Sequence, residues 1–201
     1  MAEKAAKLIS IIFHPFLIPM MGFVALFNSE FHFAAISGDA KRFVFLVIFF
    51  TTAVLPMLTV AILALNPKFD FTMQNTRDRI VPLLTTAIYY YLGFLLLNRV
   101  KLFPVFKLFL IASVLVIVLL LMISLSWKIS THMASVGGLA GTVFALSFRS
   151  GMNPIYIILT VVIVSGLVGT ARLLLNKHNL SQIAAGYILG FLILYLVVYF
   201  I

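Results

Sequence analysis

The class of fold is decided at residues 103–126, which read FPVFKLFLIASVLVIVLLLMISLS and contain one charged residue, Lys107. An apolar run of about 20 residues is long enough to cross the hydrocarbon core of a bilayer as an α-helix. The rest of the chain has the same character, since 64% of its 201 residues are hydrophobic and 9% are charged. In soluble domains roughly a quarter of the residues are charged. The sequence therefore predicts an integral membrane protein.

Hydropathy predicts seven apolar spans joined by short loops, with six as an open alternative. The spans lie at about 8–27, 42–65, 80–97, 103–126, 130–147, 154–175 and 183–201. Pro15 and Pro19 favour a break or a tilt in the first span, because proline removes a backbone N–H donor. We expect an all-α, polytopic transmembrane helical bundle of about six to seven helices. It forms one integral membrane domain over residues 1–201.

Composition also narrows the class of ligand. The formal net charge is +9, from 14 Lys and Arg against five acids. A small polar surface that is this basic favours anionic lipid head groups or phosphorylated ligands over nucleic acid. The chain has no Cys, which excludes disulfides, thiolate metal sites and cysteine nucleophiles. From composition we therefore expect membrane lipids or a phosphorylated ligand as partners, and no nucleic acid.

The polar residues gather on one predicted face of the membrane. Counted from the second span, the loops at 66–79, 127–129 and 176–182 emerge on one side, and those at 28–41, 98–102 and 148–153 on the other. The first set carries Arg77, Asp78, Arg79, Lys128, Ser130, His132, Arg172, Lys177, His178 and Gln182 at or near the loops. Ionisable groups at span ends are costly when they lie deep, so they usually have a partner or a task.

The most distinctive local pattern is Arg172, then His178 after five residues, then Gln182 after three. His178 and Gln182 share one face at a helix start, because they are four positions apart. Ser130-Thr131-His132 opens the fifth span on the same side. Arginines and helix N-termini bind phosphate oxygens, and two imidazoles can supply a nucleophile and a proton donor. The pattern indicates phosphate binding and phosphoryl transfer.

These stretches resemble the motifs of the phosphatidic acid phosphatase type 2 superfamily, which comprises membrane lipid phosphatases and related haloperoxidases. Ser130 and His132 match its Pro-Ser-Gly-His motif, and Arg172 and His178 match its Ser-Arg-x5-His-x3-Asp motif. The stretch NTRDRIVP at 75–82 resembles the family's first motif only in placing basic residues before a proline. The resemblance covers about residues 66–201.

The resemblance implies a role for each matching residue. His178 would be the nucleophile that forms a phosphohistidine, and His132 the general acid toward the leaving alcohol. Arg172 and Ser130 would bind the phosphate oxygens, and Arg77, Arg79 and Lys128 would supply further positive charge. The family's sites typically face the periplasm or lumen, which implies a bacterial inner membrane with the site facing the periplasm or outside. The resemblance also implies a lipid phosphate substrate and a reaction that uses no metal and no cofactor.

The chain departs from the family at Gln182, where the family has Asp. A glutamine can accept the ring N–H of His178 but brings no negative charge, and in a serine-protease triad the same exchange lowers turnover by about 10⁴. Asp78 is the candidate for a charge partner from elsewhere. Two functions therefore stay open: a metal-independent lipid phosphate phosphatase, and a weakened or inactive lipid-phosphate binding or transport protein on the same fold. A purely structural protein would leave the polar clustering unexplained.

Overall fold

The computed structural model of the chain describes residues 1–29, 31, 36–67, 69, 77–100 and 104–201. Within these residues the regular structure is helical, with no strand. The helices are α1 (Ala2–Ile12), α2 (Ile18–Phe27), α3 (Gly38–Ile48), α4 (Leu55–Leu63), α5 (Arg77–Asn98), α6 (Pro104–Ser124), α7 (Thr131–Ser150), α8 (Ile155–Leu174) and α9 (Leu180–Phe200). A π-helical segment, Phe49–Val54, joins α3 to α4. The predicted all-α polytopic bundle is confirmed.

Five helices in the described part of the chain are long and apolar enough to cross a membrane. They are Gly38–Leu63, Asp78–Asn98, Pro104–Ser124, Ile155–Leu174 and Leu180–Phe200. A helix of 20 residues rises about 30 Å, which matches the hydrocarbon core of a bilayer. These helices make the chain an integral membrane protein.

The first predicted span, residues 8–27, forms two short helices instead of one. α1 ends at Ile12 and α2 begins at Ile18, with His14 and Pro15 in the turn between them. Pro19 lies in the first turn of α2, where a missing backbone N–H costs no helical hydrogen bond. Since α2 has 10 residues, it is about 15 Å long and covers half of a bilayer core. The break that Pro15 and Pro19 indicate is present.

The fifth predicted span forms α7, which lies inside the bundle. Twelve of its 20 residues are buried, and among the described helices it is not one of those apolar enough to count as a membrane span. All of its Gly and Ala residues are buried, and such small residues allow helices to pack closely. The modest hydropathy of α7 therefore reflects protein contacts in place of lipid contacts.

α7 and α9 run parallel and pack backbone against backbone. A Cβ atom added at Gly137 or Gly141 would collide with the carbonyl of Tyr187 or Phe191 on α9. One added at Gly186 or Gly190 would collide with a carbonyl on α7. α9 also contacts α6, α8 lies against α7 and α1, and α5 packs on α6. The sequence places these four glycines in two pairs at a spacing of four residues, and both pairs lie in the α7–α9 contact.

We expect Gly190→Ala to destabilise the bundle, because its Cβ would meet the carbonyl of Ala134 and the backbones would have to separate. Overpacking of this kind costs about 1–3 kcal/mol. Gly166→Ala is the matched control, since a Cβ at that position on α8 has no neighbour within 4 Å. Thermal unfolding of both variants in detergent measures the difference, and equal unfolding temperatures would contradict the close approach of α7 and α9.

Candidate functional site

A cavity of about 260 Å³ lies at the end of the bundle where α5 and α7 begin and α8 ends. Its polar lining residues are His14, Arg79, Thr86, Tyr90, Thr131, His132, Ser135, Arg172 and His178. Apolar side chains cover the remaining wall, among them Val60, Leu83, Ile117, Leu120 and Ile129. No Asp or Glu of the described residues lines it. The two guanidinium groups that line the cavity, Arg79 and Arg172, make it attractive to an anion.

Three residues that the sequence pattern singled out, His132, Arg172 and His178, lie together at this cavity. His132 comes from the first turn of α7, Arg172 from the last turn of α8, and His178 from the short turn that leads into α9. Arg79 reaches the same cavity from the first turn of α5. Four chain segments thus place cationic or imidazole groups at one end of the bundle.

Gln182 fixes the ring of His178. Its Oε1 accepts the backbone N–H of Asn179 at 3.2 Å and lies 3.1 Å from Nδ1 of His178. The backbone N–H identifies this amide atom as the oxygen, so Nδ1 of His178 must carry the hydrogen. In the neutral ring Nε2 then holds the lone pair. The imidazole is therefore held in the tautomer that leaves Nε2 free to act as a nucleophile or a base.

Gln182 also stabilises the start of α9. The Asn179 side chain accepts the backbone N–H of Gln182 at 3.0 Å, which completes a reciprocal capping box with Gln182. The backbone N–H of Ser130 donates to the Gln182 carbonyl at 3.3 Å. The starts of α7 and α9 are therefore tied together at the position from which His132 and His178 reach the cavity.

The surroundings of His178 favour its neutral form. Burial and, after it, the positive charge of Arg172 lower the pKa of His178 to about 4. The hydrogen bond to Gln182 acts in the opposite direction, and the charges of Lys128 and Arg79 lower the pKa further. At neutral pH the His178 ring is thus uncharged, as attack by Nε2 requires.

His132 has the opposite tautomer. Its Nε2 lies 3.3 Å from the backbone carbonyl oxygen of Ser10. A carbonyl oxygen only accepts hydrogen bonds, so Nε2 carries the hydrogen and Nδ1 is the atom that can take up a further proton. The ring packs edge-to-face against His14, with 5.4 Å between centroids. Protonation at Nδ1 would give a cation whose Nε2–H still donates to Ser10.

Arg172 has a polar atom that no described residue satisfies. Its Nε is buried and has no hydrogen-bond partner in the described structure. A buried guanidinium N–H that is left unpaired costs roughly 1–3 kcal/mol or more, and native proteins rarely leave such groups unexplained. An oxyanion in the cavity would supply the acceptor.

Ser130 does not line the cavity. Its side chain is buried and accepts the backbone N–H of Met133 at 3.4 Å, as the N-cap of α7. The match of Ser130 to the family motif therefore coincides with a helix-capping role. Ser130 lies two residues before His132, and through this cap it sets where α7 begins.

The remaining residues predicted for the site are Lys128, Asp78 and Arg77. Lys128 lies outside the cavity lining, although its charge acts on His178. Asp78 lies in the first turn of α5, does not line the cavity and forms no ion pair with a described residue. Arg77 begins α5, and its side chain lies outside the described structure, as do Asn75 and Thr76.

Several lining residues were not predicted from the sequence. His14 is the main one: His14-Pro15 is a distinctive pair in the broken first span, but its spacing from the other motifs carries no signal. On α5 the lining residues are Arg79, Pro82, Leu83, Thr86 and Tyr90. They follow a helical stripe that begins at the predicted arginine, and this stripe is a signal that the sequence does contain.

Comparison of the chain with protein-family models, with curated proteins and with solved structures finds no match. The resemblance to the phosphatidic acid phosphatase type 2 superfamily thus depends on the quoted motifs alone.

Proposed function

We propose that the protein is a membrane-embedded lipid phosphate phosphatase that acts through a phosphohistidine on His178. The observation that carries this proposal is the composition of the cavity. Its lining contains Arg79, Arg172 and two imidazoles of opposite tautomer, His132 and His178, without a carboxylate among the described lining residues. The buried Nε–H of Arg172 has no acceptor among the described residues, and a phosphate oxygen would accept its hydrogen bond. Membership of the phosphatidic acid phosphatase type 2 superfamily is part of the same proposal.

In the first step the lone pair on Nε2 of His178 attacks phosphorus, and the bond from phosphorus to the ester oxygen breaks. The departing oxygen takes the bond's electron pair and a proton from Nδ1 of the His132 imidazolium, which yields the free alcohol. Arg172 and Arg79 stabilise the equatorial oxygens through charge-assisted hydrogen bonds. Nδ1–H of His178 continues to donate its hydrogen bond to Gln182 Oε1 while the ring becomes positive.

In the second step water attacks the phosphohistidine and gives up a proton to Nδ1 of His132. The P–N bond then breaks, and its electron pair returns to Nε2 of His178. Inorganic phosphate and the starting protonation states result. Both steps use only side chains of this chain, so the proposed reaction requires no metal or cofactor.

The walls of the cavity favour an amphiphilic substrate. Its cationic residues lie at helix ends, whereas Val60, Leu83, Ile117 and Leu120 continue it along the interior of the bundle. From Arg79 to Tyr90 the lining stripe of α5 covers 11 steps, about 16 Å along the helix axis. A phosphate with an attached apolar chain fits this division. Four lipids have this combination of a phosphate and an apolar chain: phosphatidic acid, phosphatidylglycerol phosphate, a polyprenyl pyrophosphate and a lipid A phosphate.

We place the site on the periplasmic or outer side of a bacterial inner membrane. We count the basic residues from the seven spans predicted by the sequence and set aside the cations assigned to phosphate binding. On this count four remain on the site's side: Lys4, Lys7, Lys68 and Lys177. Six lie on the opposite side: Lys41, Arg42, Arg99, Lys101, Lys107 and Arg149. The side with more Lys and Arg is preferentially cytoplasmic.

The decisive experiment measures phosphate release by the purified protein in detergent from the four lipid phosphates named above, in EDTA and separately with Mg²⁺. We expect release from at least one substrate in EDTA, together with inhibition by vanadate. A protein that binds vanadate or lipid phosphate but releases no phosphate would support the second candidate, a binding or transport protein. The neutral Gln182 favours that candidate, because it cannot stabilise a positive His178 as a carboxylate would. A protein that neither releases phosphate nor binds vanadate or lipid phosphate would refute both candidate functions.

The lowered pKa of His178 gives a pH prediction. Since the folded-state pKa is about 4, the ring should stay neutral as pH falls from 8 to about 5 and gain its proton only as pH passes through about 4. An exposed histidine would titrate near 6.5. NMR titration of histidine ring signals in micelles, assigned with His178→Asn, measures this. A midpoint near 6.5 would contradict the burial of His178 beside Arg172.

A further inference from the structure

His14 lies in the turn between α1 and α2 and lines the same cavity as His132 and His178. The turn is well defined, because the backbone N–H groups of Leu17 and Ile18 donate to the His14 carbonyl at 2.8 and 3.2 Å. The ring makes edge contacts with Phe16 and His132, at centroid distances of 4.8 and 5.4 Å. The His14 ring is therefore held at the cavity by contacts on both sides.

The hydrogen bonds of His14 determine which ring nitrogen carries the hydrogen. The backbone N–H of Phe16 donates to Nδ1 of His14 at 3.4 Å. Nδ1 is therefore an acceptor, and in the neutral ring the hydrogen is on Nε2. A proton on Nδ1 would oppose the Phe16 N–H, so this contact favours the neutral ring. His14 is thus a neutral N–H donor at a cavity that already has two guanidinium groups.

The two neighbouring imidazoles differ in the group they can offer. Nε2–H of His132 is engaged by the Ser10 carbonyl, which leaves Nδ1 for proton exchange. Nδ1 of His14 is engaged by its own turn, which leaves Nε2–H for donation. None of the family motifs covers residue 14, since the resemblance begins near residue 66.

We infer that His14 is a phosphate-binding residue whose neutral Nε2–H donates to an oxygen of the bound phosphoryl group, alongside Arg172 and Arg79. This inference rests on the proposed function, because it concerns the same phosphate. The N-terminal helix pair α1–α2 then supplies part of the phosphate site. A neutral donor adds a hydrogen bond without adding a third fixed charge to a cavity inside the bundle.

Two variants separate donation from a structural role. His14→Asn places Oδ1 where Nδ1 lies, so that it can still accept the Phe16 N–H, but it removes the donor. His14→Gln is longer and places an amide N–H near the position of Nε2. We expect His14→Asn to weaken vanadate binding and to lower kcat/KM for phosphatidic acid by about 10- to 100-fold, the range of a hydrogen bond to a charged group. His14→Gln should stay within about threefold of wild type.

Vanadate affinity is the primary readout, because it does not require turnover. Unchanged affinity in His14→Asn would overturn the inference, as would an equal loss in both variants with wild-type unfolding temperatures, which indicates a packing role. Wild-type protein that binds vanadate, with His14→Asn unaffected, refutes the role of His14 alone. Wild-type protein that neither binds vanadate nor releases phosphate refutes the proposed function and this inference together.

Discussion

In the His178→Ala variant we expect phosphate release to fall to the background rate while the protein stays folded. The substitution removes the only atom assigned as nucleophile, and losses of this kind are on the order of 10³–10⁶-fold. Folding should be retained because the capping box between Asn179 and Gln182 does not involve the His178 ring. Phosphate release in detergent and thermal unfolding together measure the effect.

Lys177→Ala is the matched control for His178→Ala. Lys177 is the adjacent residue but does not line the cavity, so its loss removes a charge without removing an assigned group. We expect activity within a few-fold of wild type. If His178→Ala retains full activity, the phosphohistidine mechanism is wrong. Retained lipid-phosphate affinity without turnover in either His178→Ala or wild type would favour the binding or transport function.

The second large effect is expected at Gln182, where a carboxylate should increase turnover. Gln182→Glu keeps the length of the side chain, and glutamate can close the same capping box. It also places a negative charge 3.1 Å from Nδ1 of His178, which stabilises the positive ring of the phosphohistidine. We expect kcat to rise about 10- to 100-fold, which corresponds to roughly 1.4–2.7 kcal/mol of barrier. The pKa of His178 should rise above about 4 in parallel.

Ser181→Glu controls for charge alone, because Ser181 is exposed in the first turn of α9 and does not line the cavity. It should leave turnover unchanged. Gln182→Asp carries the family's residue but is one methylene shorter, so its gain should be smaller than that of Gln182→Glu. If both substitutions at Gln182 lower turnover and Asp78→Asn abolishes it, the charge comes from Asp78 and the assignment of Gln182 as sole partner fails.

Most of the fold follows from hydropathy. The predicted span 103–126 corresponds to Pro104–Ser124, and 154–175 corresponds to Ile155–Leu174. Length and apolar content decide such helices locally. What hydropathy does not show is which helix faces protein and which faces lipid. α7 has the composition of an interior helix because its glycines meet α9, and that contact depends on residues some 50 positions further along the chain.

The sequence predicts those parts of the site that depend on local contacts and misses those that depend on contacts between distant segments. His178 and Gln182 are four residues apart on one helix start, so their contact is local and visible in the sequence. Ser130 looked like a phosphate ligand because a serine before a helix serves either as a cap or as a ligand, and only the structure distinguishes them. The sequence does not reveal His14 as a site residue, because its partner at the cavity, His132, comes from a distant part of the chain.

The backbone contact between α7 and α9 also decides which parts of the protein can move. Two helices whose glycines touch carbonyls cannot slide or tilt without a clash. Since α7 carries His132 and the start of α9 holds His178 through Gln182, this backbone contact sets the separation of the two imidazoles. The other wall of the cavity comes from the α1–α2 turn and from α4 and α5. Among the described residues, these segments have no contact of a glycine with a backbone carbonyl. If the proposed function holds, a lipid phosphate that enters from the bilayer would displace this wall, so that His14 and Arg79 move on entry while His132 and His178 keep their spacing.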